Sequence, residues 1–146
     1  MDIFAHHTNV DISNRLVVFN VRDLGDQLRQ IALIIVFDFI WNRMVQNKNL
    51  GVRTYCYCDE IHVMFQSYYS ANFLKQLYKR GRKYGLCITG LTQNVEDLLR
   101  SEQARGMIAN SDFIMMLNQS SEDLRILAGM LNISETQMGY VTGADA

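Results

Sequence analysis

Short apolar runs alternate with longer periodic ones along the chain. RLVVFNV (residues 15–21) is brief, continuous and rich in β-branched side chains, so it reads as a buried strand. Asp23 and Asp26 then offer helix-start chemistry. Good helix formers follow over residues 27–46, apolar on nearly every face at their middle. Such a helix is expected to be buried on several sides, with Gly51 as its stop signal. RTYCYCDE (53–60) is a second strand. A helix is predicted over 71–84, with Phe73, Leu74, Leu77 and Tyr78 as its apolar stripe. LCITGLTQ (86–93) is a third strand, apolar on both faces, in which Gly90 suggests a close backbone approach. Asn94 can cap a short helix over 95–99, and another covers 102–109. DFIMMLN (112–118) is a fourth strand. Serines and acids open the next helix, SSEDLRILAGML, where they complement the helix dipole. Ser134 to Gln137 spell a capping box for one last helix. Strands alternating with helices predict an α/β fold, a parallel sheet sandwiched by helices.

Composition narrows the classes. The chain has 146 residues, 49% of them hydrophobic, enough for one domain with a real core. Its formal net charge of −1 argues against a protein built mainly to coat nucleic acid or an anionic membrane. The longest apolar run, residues 31–41, is too short to span a bilayer and is interrupted by Asp38. Three cysteines make no disulfide framework, and no Cys/His spacing suits zinc. Buried reduced thiols are expected, which points to the cytoplasm. His6 and His7 read as a surface pair.

Candidate chemistry gathers where strands end. Ligands of a parallel α/β sheet collect outside the carboxyl ends of its strands. Asp59 and Glu60 fall at such an end, as does Gln93. One carboxylate there can hold Mg²⁺ through water, and its neighbour, on the other side of the pleat, can polarise a water. A neutral amide can touch a γ-phosphate without competing for the metal. Lys79, Arg80, Arg82 and Lys83 form a basic cluster at the end of the intervening helix, and a fixed guanidinium there can neutralise phosphoryl charge. Each feature also has a plain structural reading: a solvated strand end, a turn amide, a solvated basic face.

Together and in this order, CDEIH, KRGRKYGLCITGLTQN and NSDFIMMLNQSSEDLRILAGML resemble the carboxyl-terminal motor domain of VirB-type ATPases, the conjugation and type IV secretion ATPases of the HerA/FtsK-related group. The start, DIFAHHTNVDISNRLVVFNVRDLGDQL, is similar to the stretch preceding it. The resemblance covers essentially the whole chain. It implies a RecA-like P-loop motor, hexameric, that uses ATP and Mg²⁺ at the inner face of the membrane to assemble or drive a secretion channel, with other channel proteins as partners and contact with DNA left open. Carried over, Asp59 is the Walker B acid on the metal side and Glu60 the catalytic base. Gln93 senses the γ-phosphate. Arg82 reaches a neighbouring subunit's nucleotide, with Arg80 as the fallback for that role.

One departure matters. No G-x-x-x-x-G-K-[ST] occurs in the sequence, and that loop supplies N–H groups and a lysine to the phosphates. The resemblance places it upstream of Met1. Residues 1–146 are therefore expected to form a single partial domain lacking the Walker A segment, inactive alone. The missing strand would leave a gap between 86–93 and 112–118, and the open edge would favour dimers or larger oligomers. The acidic pair, the amide and the guanidinium are expected on one rim. DEIH also resembles the DExH box of helicases, although GLTQN stands where those carry a Ser-Ala-Thr motif; there His62 would couple hydrolysis to strand movement, whereas otherwise it reads as a surface residue. A nonenzymatic α/β partner-binding module is the reading from a different class.

Overall fold

A computed structural model describes residues 11–141. His6 and His7 lie outside the described residues. Helix α1 (Asp26–Asn49) is followed by strand β1 (Thr54–Cys58), a 3-10 turn (Ile61–Gln66) and helix α2 (Tyr68–Arg80). A second 3-10 turn (Gly81–Tyr84) leads into strand β2 (Leu86–Gly90). Helices α3 (Val95–Arg100), α4 (Glu102–Ala109), α5 (Ser121–Leu131) and α6 (Glu135–Gly139) complete the order.

The strands pair in parallel, with Thr54 opposite Leu86 and Cys58 opposite Gly90. Helix α2 is the crossover that a parallel pair requires. It lies between two clusters of the core. Leu74 packs with Cys58, Ile61, Leu98, Ala104 and Met107, while Leu77 packs with Met44 and Leu86. Both leucines are essentially inaccessible, and burying each contributes about 1.5–3 kcal/mol. Phe73 of α2 stacks on Phe37 of α1 with centroids 4.2 Å apart, which docks the long helix. Local signals explain the helix starts. Asn94, Ser101 and Ser120 each accept a backbone N–H at their helix's first turn. Ser134 and Gln137 form the expected capping box.

Several expectations change. Residues 15–21 and 112–118 are not strands; the sheet has only β1 and β2 among the described residues. A strand needs a ladder partner, and neither segment has one. Their apolar side chains stay exposed, Leu16 at 81% and Phe113 at 77%. The sheet is also covered on one face only. Cys56, Cys58, Leu86 and Ile88 face the helices, while Tyr55, Tyr57, Cys87 and Thr89 are exposed on the other side. Cys87 is thus not the buried thiol expected. Helix α1, finally, buries the stripe Leu33, Phe37 and Met44 and leaves Ile34 and Ile35 exposed. The helix expected over 71–84 starts earlier and tightens into a 3-10 turn after Arg80. No helix among the described residues is long and apolar enough to cross a membrane.

Candidate active site at the carboxyl ends of the paired strands

Beyond its paired residues the ladder continues with an irregularity. Leu91 N–H donates to the Cys58 carbonyl, and the Leu91 carbonyl accepts from Ile61 N–H, both at 2.9 Å. Since Cys58 faces Gly90, a regular parallel ladder would have used Glu60 N–H instead. One extra residue is therefore accommodated, as in a β-bulge, a device that re-aims a side chain. Glu60 absorbs it in the left-handed region, at φ 46° and ψ 48°. That conformation costs of order 1–3 kcal/mol for a residue with a Cβ. Local bonds offset it: Asp59 Oδ1 accepts Glu60 N–H at 3.0 Å, and the Glu60 carbonyl accepts Val63 N–H at 3.0 Å.

The bulge turns the Glu60 carboxylate toward the end of β2. Gln93 Nε2 donates to Glu60 Oε1 at 2.5 Å. The other oxygen, Oε2, is buried without a well-aligned hydrogen bond, and its charged-pair neighbour is His62 Nδ1 at 3.2 Å. His62 Nδ1 is also 3.0 Å from Thr92 Oγ1. Asp59 remains exposed on the rim. Its Oδ1 accepts the Glu60 N–H, and its carboxylate makes no contact with the Gln93 or His62 side chains. No group of three or more metal-ligating side chains exists among the described residues. The donor set fits Mg²⁺, which keeps several waters and takes few protein ligands.

Beneath the acids, Cys56 and Cys58 point to one side of β1 with their sulfurs 3.8 Å apart. The hydrogen bond from its neighbour and burial push the Cys58 thiol up, while the same contact lowers Cys56. Burial, with smaller contributions from those thiols, pushes Tyr78 up to about 12. The close approach expected at Gly90 is real: a Cβ there would lie 2.6 Å from Ile61 Cδ1 and 3.0 Å from Tyr78 Oη.

Asp59, Glu60 and Gln93 thus come together as expected, and the guanidiniums do not join them. Arg80 and Arg82 are exposed at the turn before β2, where Thr54 N–H meets the Gly85 carbonyl at the amino ends of both strands. From Gly85 to Leu91 the strand advances about 20 Å at its usual rise. Within one chain the expectation of a single rim therefore fails for Arg82 and Arg80. His62 is not a bare surface residue either; its side chain is 15% exposed and held between Glu60 and Thr92. Thr92 went unnoticed as a partner, although its place beside Gln93 and the D-E-x-H spacing were the available signals.

Residues 3–143 match the family described as the TraG P-loop domain. The chain belongs to that family. The TraG-type chain is also similar to a solved structure, VirB4 of Thermoanaerobacter pseudethanolicus, with 25% sequence identity and a TM-score of 0.77. The likeness covers 93% of this chain and 38% of the VirB4 chain. Among curated proteins no match was found. The resemblance to VirB-type conjugation ATPases is thereby established. So is the fold class: helices on a small parallel sheet, like the corresponding part of VirB4. The TraG family is one of P-loop ATPases of conjugation and secretion.

Proposed function

We propose that this TraG-type chain carries the hydrolytic half of an ATP site in a conjugation or type IV secretion motor. The observation that carries the reading is the 2.5 Å bond between Gln93 and Glu60, which unites the ends of two strands at the switch from strand to turn. Asp59 holds Mg²⁺, through water. Glu60 orients and deprotonates the attacking water with its carboxylate. Gln93 exchanges its bond to Glu60 for one to the γ-phosphate, which releases Oε1 for the water when nucleotide is present. Mg²⁺ supplies charge neutralisation on the phosphates when bound.

Arg82 acts across a subunit boundary, with Arg80 as the alternative. Their place at the amino ends of the strands supports a role outside their own chain's site, and neither guanidinium has an ion-pair partner among the described residues. The phosphate cradle comes from polypeptide beyond these 146 residues, since the sequence holds no phosphate loop. The motor in this reading is an oligomer, hexameric as in related motors, working with secretion-channel proteins at the inner face of the membrane.

Steady-state ATP turnover tests the reading. The 146-residue chain alone should bind ATP poorly and show no turnover, and a longer polypeptide that adds the phosphate loop should hydrolyse it. Turnover by the 146-residue chain that Glu60→Gln abolishes would overturn the assignment of the cradle to other polypeptide.

A further inference from the structure

Cys56 and Cys58 are two residues apart on β1, so both side chains leave the same face of the strand. Their sulfurs touch, at 3.8 Å. Cys56 is half-buried and Cys58 buried, whereas Cys87 is exposed on the other face, opposite Tyr55. No third metal-ligating side chain joins the pair among the described residues, so its chemistry is that of two thiols. A reachable thiol beside a second one is the arrangement in which a sulfenic acid is trapped as a disulfide. The usual strand rise puts the two Cα atoms about 6.6 Å apart, near the upper limit of about 6.8 Å for a bridge, which also needs its Cβ atoms at about 3.8 Å. Closing the bond must therefore shorten this stretch of β1. Cys58 is the end that can give. It is the last paired residue, and Glu60, two places on, has already left the ladder.

We propose that Cys56 and Cys58 are a reversible oxidation site: hydrogen peroxide joins them in a disulfide that draws the Asp59–Glu60 end of β1 away from β2. The Cys56 thiolate attacks one peroxide oxygen, the O–O bond breaks, and hydroxide leaves with the proton that Cys56 gave up, as water. The Cys58 sulfur then displaces the hydroxyl of the Cys56 sulfenic acid, which takes the Cys58 proton and leaves as a second water. The two thiols lose two electrons and the peroxide gains them. The bridge adds no atom to the core around Ile61 and Leu74. A bridge that strains its strand is also the readily reduced kind, and a dithiol reverses it. Movement of Cys58 loads the bond from Leu91 N–H to its carbonyl, and Glu60 is carried from Gln93. Only the consequence for hydrolysis rests on the reading of Glu60 as the acid that works on water.

Peroxide treatment of the wild-type chain, followed by alkylation, trypsin and mass spectrometry, tests the site. The peptide of residues 54–75 should lose both alkylation sites together and regain both after dithiothreitol. Amide spectra of the oxidised chain should show the Glu60 and Leu91 signals shifted, returning on reduction. Cys87→Ser, which removes the exposed thiol, should leave the bridge and the shifts in place. Cys56 and Cys58 that both stay alkylatable while Cys87 is consumed overturn the site, as does a bridge from either of them to Cys87. A Cys56–Cys58 bridge that leaves the Glu60 and Leu91 signals unmoved overturns the pull on the acids. These readings need no nucleotide. A failure of Glu60 as the hydrolytic acid would appear in ATP turnover and leave the bridge untouched.

Discussion

Gln93 donates its side-chain amide to the Glu60 carboxylate across 33 residues of sequence and two strand ends. Glu60 is itself the extra residue that Leu91 bridges with its N–H and carbonyl. The contact is therefore a product of backbone geometry, and it dictates which parts of the fold should be intolerant of change.

Gly90 is one such part. It lies opposite Cys58, just before the bulge, against Ile61 and Tyr78. Ile61 is 1% exposed and cannot swing away from an added methyl group. Gly90→Ala should destabilise the chain by about 1–3 kcal/mol, the usual cost of overpacking. Urea denaturation measures it. A midpoint unchanged from wild type would mean that the Gly90 approach is looser than described.

Alkaline pH should weaken the same corner. Burial raises Tyr78 to about 12, so the folded state holds its proton more tightly than the unfolded chain does. The unfolded tyrosine ionises near 10. Between those values the unfolded state binds fewer protons, and stability falls as pH rises. The contribution is fully present below pH 10 and lost by pH 12. Denaturation midpoints across that window should fall less steeply in Tyr78→Phe than in wild type. Equal slopes would assign the loss to other groups.

Much of this arrangement was legible in the sequence, and its failures share one cause. Asn94, Ser120 and the Ser134–Gln137 box signalled helix starts because capping is a local interaction. Asp59, Glu60 and Gln93 were placed by the rule that parallel strands present ligands at their carboxyl ends. Residues 15–21 and 112–118 read as strands because an apolar β-branched run records the environment it suits, and pairing depends on a partner that no local pattern encodes. Ile34 and Ile35 of α1 misled for the same reason. The position of His62, against Glu60 and Thr92, was hidden because it depends on the bulge at Glu60 and on a strand end 30 residues away.

The open side of the sheet should make the chain self-associate. Tyr57 is 71% exposed, Met115 72% and Leu117 73%, and both outer strand edges lack a ladder partner among the described residues. Such surfaces drive association. Sedimentation should show dimers or larger species that increase with concentration, and Tyr57→Lys combined with Met115→Lys should restore the monomer. A wild-type chain that stays monodisperse as a monomer at high concentration contradicts this expectation.

The most direct test of Glu60 as the hydrolytic acid is ATP turnover by a polypeptide carrying these residues together with a phosphate loop, compared between wild type and Glu60→Gln. A positioned general base contributes roughly 10²–10⁴-fold. The variant should lose at least about 100-fold in kcat while still binding ATP. Turnover within a few-fold of wild type, with binding intact, would contradict the account.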